Sequence, residues 1–377
     1  MSHVNDTQNT RRNGCPVSAW LVKPLFRRGP GVRVLGRGSS VSLIPFMLTV
    51  VGCERTGRSD SGAVAERALV VYCSVDEVFA KGVLQDFQNR TGVAVRPAFD
   101  SEAGKTTGLI QRIVAEADAG RPRGDVLWSS EVFNTIQLAR RGLLESYESP
   151  VAADIPERFR DPGHRWTGVS VRARALAFDP KRVNVSELPT QWQELAQSKF
   201  AGRTAMANPL FGTTRGHVAA MFAMWGPEAG RRFLHEIREG GVRIVDGNSA
   251  AVRALIAGQV EFAMTDTDDV WVAQRAGASI DLRYLDMGAG GTLVIPCTVA
   301  IIKGGPNGTL ARQLVDYLLS ADAERMLAQS DSRNVPVREA LRKELGMDWS
   351  AESVVDYPTV TNAMEESIAA VRDILIR

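Results

Sequence analysis

The segment ALVVYCSVDEVFAKGVLQDFQNRTGVAVRPAF, residues 68–99, decides the fold class. The run as far as Cys73 is apolar, which is typical of a strand buried on both faces. Ser74 and Glu77 have the spacing of a capping box, so a helix is predicted to follow. Gly92 ends that helix, and the residues after it are predicted to form a second strand. The buried stripe of the helix is predicted to contain Phe79, Val83, Leu84 and Phe87.

The same alternation of strands and helices continues along the chain. A helix that ends at Gly120 leads into a strand at 125–128, and a third helix ends at Gly142. Strands that alternate with helices favour a parallel sheet. After a segment rich in Pro and Asp, a second set begins with a strand at 171–178. Its further strands are predicted at 203–207, 242–245 and 261–264, and its helices start at Thr213, Pro227 and Asn248.

A long apolar strand is predicted at 292–302, with Pro296 inside it. Proline is poorly tolerated in the middle of a sheet, so a strand that crosses between two lobes is the favoured position. Open α/β sheets bind ligands at the carboxyl ends of their strands. We therefore predict an α/β protein with two lobes, hinge-forming crossing strands and a central ligand cleft. Lobe 1 comprises residues 67–168 and 297–332, and lobe 2 comprises residues 169–296 and 333–377.

The N-terminal region has the pattern of an export signal. Seven Lys and Arg residues and one acid, Asp6, precede the apolar run 41–52, which is too short to span a membrane. The tetrapeptide Val-Val-Gly-Cys that ends at Cys53 has the form of a bacterial lipobox. We predict a signal peptide at residues 1–52, lipidation of Cys53 and a polar tether at residues 53–66. A buried core helix is the alternative reading of the apolar run.

Composition excludes some functions and leaves one question open. The net charge of +2 argues against a nucleic-acid-binding protein. Cys15 lies in the leader and Cys53 would carry lipid, which leaves Cys73 and Cys297 as either a disulfide or two buried thiols. The chain has no Gly-x-Ser-x-Gly or His-Glu-x-x-His motif, and its histidines are scattered, so no enzyme is predicted.

Seven short motifs carry a family resemblance. They are VVYCSVDE at 70–77, FQNRTGV at 87–93, GDVLW at 124–128, ANPLFGTT at 207–214, DGNS at 246–249, TDTDD at 265–269 and PCTVA at 296–300. Together they resemble the bacterial extracellular solute-binding proteins of the type II periplasmic fold, in the group around the ferric-ion-binding proteins. The resemblance implies a non-catalytic receptor outside the cytoplasmic membrane. Such a receptor hands its solute to the permease and ATPase subunits of an ABC importer.

The resemblance also implies a metal site in the cleft. Ferric-binding relatives hold the metal with a histidine, a glutamate, two adjacent tyrosines and a small anion. This chain has Asp76, Glu131 and the pair Asp268 and Asp269 at those positions, and none of its tyrosines is adjacent to another. With Asp266, these residues form an oxygen-rich set that suits a hard cation, so an iron-like metal is the predicted cargo. The alternative is that the acids only cap helix starts.

An anion site is predicted in lobe 2, at the start of two helices. Free backbone N–H groups at helix N-termini bind anions, and the relatives place their helper anion at matching positions. Ordinary N-capping is the alternative. The segment 101–107 superficially resembles a phosphate loop, but Phe99 stands where the first glycine is required, which argues against nucleotide binding. The predicted anion-binding residues are Gly212, Thr213, Thr214, Asn248 and Ser249.

Two other functions stay open at this stage. An organic cation, such as a polyamine or a thiamine-like amine, would use the same acids and stack on Trp128 or Trp271 as a cleft wall. A periplasmic enzyme or a sensor module could also be built on two such lobes.

Overall fold

The structure is a computed structural model that describes residues 68–100, 107–288, 290–347 and 355–376. All of them belong to one compact unit, Gly62–Arg377. The predicted signal peptide, the lipidation site Cys53 and the tether lie outside the described residues, as does the segment 101–106.

The described strands form one curled sheet with the order β2-β1-β3-β9-β4-β7-β5-β6, while β8 and β10 pair with β4. The strands are β1 (Leu69–Cys73), β2 (Val95–Phe99), β3 (Val126–Ser129), β4 (Thr167–Phe178), β5 (Thr204–Ala207), β6 (Arg243–Val245), β7 (Phe262–Asp266), β8 (Asp281–Arg283), β9 (Val294–Ile301) and β10 (Val335–Pro336).

The helices pack against the apolar side chains of the sheet. They are α1 (Glu77–Thr91), α2 (Thr107–Asp118), α3 (Phe133–Arg140), α4 (Gly212–Trp225), α5 (Pro227–Glu239), α6 (Asn248–Ile256), α7 (Thr267–Arg275), α8 (Gly308–Leu318), α9 (Ala321–Gln329), α10 (Glu339–Glu344), α11 (Tyr357–Asn362) and α12 (Met364–Ile374).

Each lobe has its own parallel set of strands, as the alternation of strands and helices predicts. In lobe 1, β1 pairs in parallel with β2 and β3. In lobe 2, β5 pairs in parallel with β6 and β7. The carboxyl ends of β1 and β3 face the same region as those of β5 and β7, since residues at all four ends line one small cavity.

Strands β4 and β9 join the two lobes. The first part of β4, Thr167–Ala173, pairs with β9, and its second part, Arg174–Phe178, pairs with β7. Pro296 lies opposite Val171 of β4, whereas the pairing of β9 with β3 covers only 298–301. The missing N–H of proline therefore falls where β3 has ended, and the prediction of a crossing strand is confirmed.

Two local features differ from what the sequence predicts. The N-cap residue of α1 is Asp76, so the capping box of Ser74 and Glu77 is wrong. The Ser74 hydroxyl instead accepts the Ser130 N–H at 2.9 Å, because this residue is buried where β1 and β3 end. On the buried stripe of α1, Phe79 is only half-buried, while Val83, Leu84 and Phe87 are buried as predicted.

The open question about the cysteines is answered by their side chains. Cys73 and Cys297 are both buried free thiols. The Cys297 thiol lies 3.6 Å from the Ser130 carbonyl oxygen, and the Cys73 thiol lies 3.7 Å from that of Val75. Burial raises the pKa of both thiols, which makes them inert core residues.

Candidate ligand cleft

A small cavity of about 60 Å³ lies where the strands of the two lobes end. Lobe 1 contributes Ser74, Asp76 and Ser130 to its wall, and β4 contributes Arg172. Lobe 2 contributes most of the 207–214 segment, the whole 246–249 segment, Asp266 and Asp269. The cavity therefore collects residues from four of the seven motifs found in the sequence.

Helix N-termini surround this small cavity. Helix α4 begins at Gly212, α6 begins at Asn248, and α7 follows its N-cap residue Asp266. Gly212 has a φ of 55°, which a residue with a side chain rarely adopts. Because the first N–H groups of a helix have no intrahelical partner and carry partial positive charge, this wall of the cavity attracts anions.

One buried network fixes the shape of the lobe 2 wall. The Arg174 side chain is fully buried, and its Nη1 donates to Asp266 Oδ1 at 2.6 Å. Asp266 Oδ2 accepts from the Thr213 hydroxyl at 2.5 Å and from Asn248 Nδ2 at 2.8 Å. Both oxygens of Asp266 are thus already bonded, and two of the predicted anion-binding residues are held by it.

His217 of α4 also belongs to this network, through a hydrogen bond to Arg174. Its Nδ1 accepts the Arg174 Nε–H at 3.2 Å, and the edge of its ring packs against Trp192 with 4.4 Å between the ring centroids. Burial and the neighbouring Arg174 guanidinium hold the pKa of His217 well below its usual range. The imidazole is therefore neutral and serves as a structural acceptor.

A second arginine connects the two lobes at the wall of the cavity. Arg172 Nη1 donates to Asp268 Oδ2 at 2.6 Å, and its Nη2 donates to the Ser130 carbonyl oxygen at 2.6 Å. Burial opposes the charge of the guanidinium, but Asp268 and other nearby acidic groups together outweigh burial and raise the pKa of Arg172. Arg172 thereby links lobe 1 to the first turn of α7.

The structure brings three of the predicted acids together. Carboxylate oxygens of Asp266, Asp268 and Asp269 lie within 4.8 Å of one another. Asp269 also accepts the Thr265 hydroxyl at 3.2 Å. Asp76 and Asp269 line the small cavity and also a larger, open cavity of about 570 Å³ beside it. These two acids are the ones placed at the junction of the two cavities.

Glu131 has a different environment. Its carboxylate accepts the backbone N–H of Phe133 at 2.7 Å and that of Asn134 at 3.2 Å, so it holds the first turn of α3. Burial raises its pKa, although Arg215 acts in the opposite direction. Its two oxygens are directed to the helix rather than to the residues that line the small cavity.

The remaining predicted residues divide between the cavity and the core. Thr214 and Ser249 line the small cavity, and the Thr214 hydroxyl donates to Asn248 Oδ1 at 3.2 Å. Trp128 is fully buried in β3. Trp271 is half-buried, and the Arg333 guanidinium lies 5.5 Å from its ring centroid. Both tryptophans stand apart from the described lining of the two cavities.

Sequence reasoning missed the arginines of β4. Arg172 and Arg174 alternate with small apolar residues in a strand that was predicted to be buried. Because a buried guanidinium needs a carboxylate partner, this alternation was a usable signal for a polar network at the cleft.

The fold has clear counterparts among solved structures. Iron-bound HitA from Pseudomonas aeruginosa superposes with a TM-score of 0.70 at 24% identity, over 82% of this chain and 99% of that chain. AfuA from Actinobacillus pleuropneumoniae with exogenous fructose-6-phosphate bound superposes with a TM-score of 0.68 at 19% identity, over 82% and 98%. The chain thus has the two-lobed type II periplasmic-binding fold.

Sequence comparison assigns the family. Residues 130–355, more than half of the chain, match the profile of the bacterial extracellular solute-binding proteins. The chain belongs to this family, as its motifs indicate. Iron uptake protein A1 of Synechocystis is 26% identical over 270 residues, which are 69% of this chain and 72% of that protein. None of the helices in the described ranges is long and apolar enough to cross a bilayer.

Proposed function

We propose that the protein is a lipid-anchored receptor that captures an iron-like metal cation together with a helper anion and delivers both to an ABC importer. One observation carries the proposal: the small cavity places the carboxylates of Asp76 and Asp269 beside the N-termini of α4 and α6. Carboxylates bind hard cations, and helix N-termini bind anions. The likeness to an iron uptake protein and to iron-bound HitA supports the choice of metal.

The contacts narrow the set of metal ligands. Asp266 is bonded to Arg174, Thr213 and Asn248, and Asp268 is paired with Arg172. Glu131 caps α3. We assign the cation to Asp76 and Asp269, because both residues line the small cavity and the large cavity at their junction. The helper anion, which Gly212, Thr213, Thr214, Asn248 and Ser249 would hold, supplies further oxygen ligands.

Ligand contacts from both lobes favour a closed arrangement. Asp76 belongs to lobe 1, whereas Asp269 and the anion-binding helices belong to lobe 2. A cation bound between these two acids would therefore hold the lobes together. Closure would take place about β4 and β9, since these strands connect the lobes.

Elemental analysis combined with native mass spectrometry of the purified protein tests the cargo. We expect one metal ion per chain in the wild type and in Asp281→Asn, an exposed control, and loss of the metal in Asp76→Asn and Asp269→Asn. A metal that stays bound in both cleft variants would contradict the proposed ligands. A protein that never contains or binds a metal would contradict a metal cargo.

A second candidate is an organic phosphate or phosphonate bound without a metal. Two of the acids at the cleft are neutralised by Arg172 and Arg174, so the helix N-termini dominate the local charge. AfuA, whose structure holds fructose-6-phosphate, shares the fold. Binding of fructose-6-phosphate or a phosphonate in buffer that contains a chelator would favour this candidate.

Membrane attachment is tested separately, through the predicted lipidation site. We expect wild-type protein and Cys15→Ala to incorporate a fatty-acid label and to sediment with membranes. Cys53→Ala should remain unlabelled and appear in the soluble fraction. Attachment of Cys53→Ala that equals that of the wild type would refute the anchor.

A further inference from the structure

The large cavity continues directly from the small one. Its volume is about 570 Å³, and it shares Ser74, Asp76, Ser249 and Asp269 with the small cavity. A ligand whose charged group lies at the N-termini of α4 and α6 therefore has this space beside it. Helix α1 and Phe99 form one side of the large cavity, and α6 and α7 form the other.

The walls of the large cavity are mainly apolar. Six large hydrophobic side chains are exposed in the described part of the chain, and three of them line this cavity: Val78 at 77%, Ile256 at 48% and Val272 at 36% exposure. An exposed cluster of apolar side chains at a cleft indicates a surface that a ligand or partner covers. The other apolar wall residues are Val75, Phe79, Phe99, Val252, Ala273 and Ala276.

The two volumes suit different parts of one ligand. A space of about 60 Å³ accommodates an inorganic anion or a single phosphate or carboxylate group. A space of about 570 Å³ lies within the range of small-molecule sites, roughly 300–1,000 Å³. A metal with an inorganic anion would fill only the small cavity and would leave the apolar walls in water.

Charged groups restrict what the far end of such a ligand can carry. Besides the acids at the junction, Glu77 lies at the rim in an ion pair with Lys81, and the Asp100 carboxylate accepts the Leu109 N–H. Arg253 is the basic residue of this lining. Since acids outnumber bases around the cavity, a second anionic group at the far end would be repelled.

We propose that the captured anion is organic and amphiphilic. Its phosphate, phosphonate or carboxylate group lies at the N-termini of α4 and α6, and its apolar body occupies the large cavity between α1 and the helices α6 and α7. This inference rests on the anion site of the proposed function and adds the class of solute. It holds both for an anion that accompanies a metal and for an anion bound alone.

A series of alkylphosphonates tests the inference. Methyl-, propyl- and pentylphosphonate have the same charged group and differ only in apolar length. They are titrated calorimetrically into ligand-free protein, with and without one equivalent of ferric salt. Each added methylene should increase affinity about fourfold, so that pentylphosphonate, with four more methylenes, binds on the order of 250-fold more tightly than methylphosphonate.

Exposed valines provide matched variants that should not disturb folding. Val78→Asn and Val272→Asn place an amide in the two walls of the large cavity, and Val185→Asn alters a 55% exposed valine elsewhere. We expect both wall variants to reduce the gain per methylene while they leave methylphosphonate affinity unchanged. The control should retain the full gain.

Three results would overturn the inference. Equal affinity for all three phosphonates would show that the large cavity takes no part of the ligand, while the anion site itself would stand. A loss of methylphosphonate affinity in the wall variants, without a change in the gain per methylene, would assign the walls to lobe closure only. Binding of neither phosphonate nor metal would overturn the proposed function as well.

Discussion

Two arginine–aspartate pairs lie side by side in this protein and have different surroundings. Arg174 faces Asp266 across β4 and β7, and Arg172, two residues earlier on β4, pairs with Asp268 in the first turn of α7. Both pairs have an N–O distance of 2.6 Å. The side chains of the inner pair are 0% and 1% exposed, and those of the outer pair are 10% and 6% exposed.

The inner pair fixes the shape of the site, whereas the outer pair connects the two lobes that a ligand would hold together. The inner pair lies within lobe 2 and holds Thr213 and Asn248 in place. In the outer pair, Arg172 lines the small cavity and reaches lobe 1 through the Ser130 carbonyl, while Asp268 lines the large cavity. The same two residue types therefore have a structural role in one pair and couple the lobes in the other.

Removal of the inner arginine should have the largest effect on stability. Arg174→Met leaves the Asp266 carboxylate buried without its counter-ion, and breaking a buried pair costs about 3–5 kcal/mol. The free energy of unfolding from urea titration measures the loss. Arg275→Met, which removes an ion pair that is more than half exposed, should change it by less than about 1 kcal/mol. Equal losses in the two variants would contradict the structural role of the inner pair.

The same substitution at the outer pair should affect binding more than folding. In Arg172→Met, water from the adjoining cavity can hydrate Asp268, so the loss of stability should be smaller, about 1–3 kcal/mol. Because the contact to Ser130 is also lost, methylphosphonate affinity should fall roughly tenfold or more. Calorimetric titration checks this. An unchanged affinity would show that this arginine does not couple the lobes.

The inner pair should also make stability depend on pH, through His217. The pKa of His217 is lowered in the folded protein by burial and by Arg174. Its contribution to stability is therefore complete above the unfolded pKa, about 6.5, and is lost as the pH falls further, by at most about 1.4 kcal/mol per pH unit. Urea titrations between pH 7.5 and 5.5 should show this slope in the wild type and a smaller slope in His217→Gln. Equal slopes would contradict a depressed pKa.

The smallest effect is expected at Thr214, the second of the two threonines in the first turn of α4. The Thr213 hydroxyl donates to Asp266, whereas the Thr214 hydroxyl donates to Asn248. Thr213→Val should cost about 1.5–3 kcal/mol of unfolding free energy, since it removes a bond to a charged acceptor, and Thr214→Val about 1 kcal/mol. Thermal and urea unfolding rank the two variants. A larger loss of unfolding free energy in Thr214→Val than in Thr213→Val would contradict the bond between Thr213 and the charged Asp266 carboxylate.

Local sequence patterns were sufficient to predict the fold, but they did not predict which arginines and aspartates form ion pairs. Alternating strands and helices, and the position of Pro296, were sufficient to predict two parallel sets joined by a crossing strand. The ion pairs of Arg172 and Arg174 join residues more than ninety positions apart in the chain, and no local pattern encodes such partners. The capping box at Ser74 failed for a related reason, because burial beside Ser130 gave this hydroxyl another partner.

The site was predictable in part. The sequence identified the loops at 207–214 and 246–249, which line the small cavity, because glycine and hydroxyl residues before a helix have a local signature. It did not show which acids pair with an arginine or hold the first turn of a helix. Asp266, Asp268 and Glu131 have the same composition signal as Asp76 and Asp269, and only their three-dimensional contacts distinguish them.

The position of β9 has a consequence for the order of folding. β9 pairs with β3 at the edge of lobe 1 and with the first part of β4, yet it lies near residue 300, well over 100 residues after either strand. A growing chain therefore lacks the strand between β3 and β4 until most of it has been synthesised, and contacts of such large sequence separation form slowly. Any fragment that ends before residue 294 should leave both strands without this neighbour. The native sheet thus becomes complete only in a nearly full-length chain, which is compatible with passage across a membrane before folding.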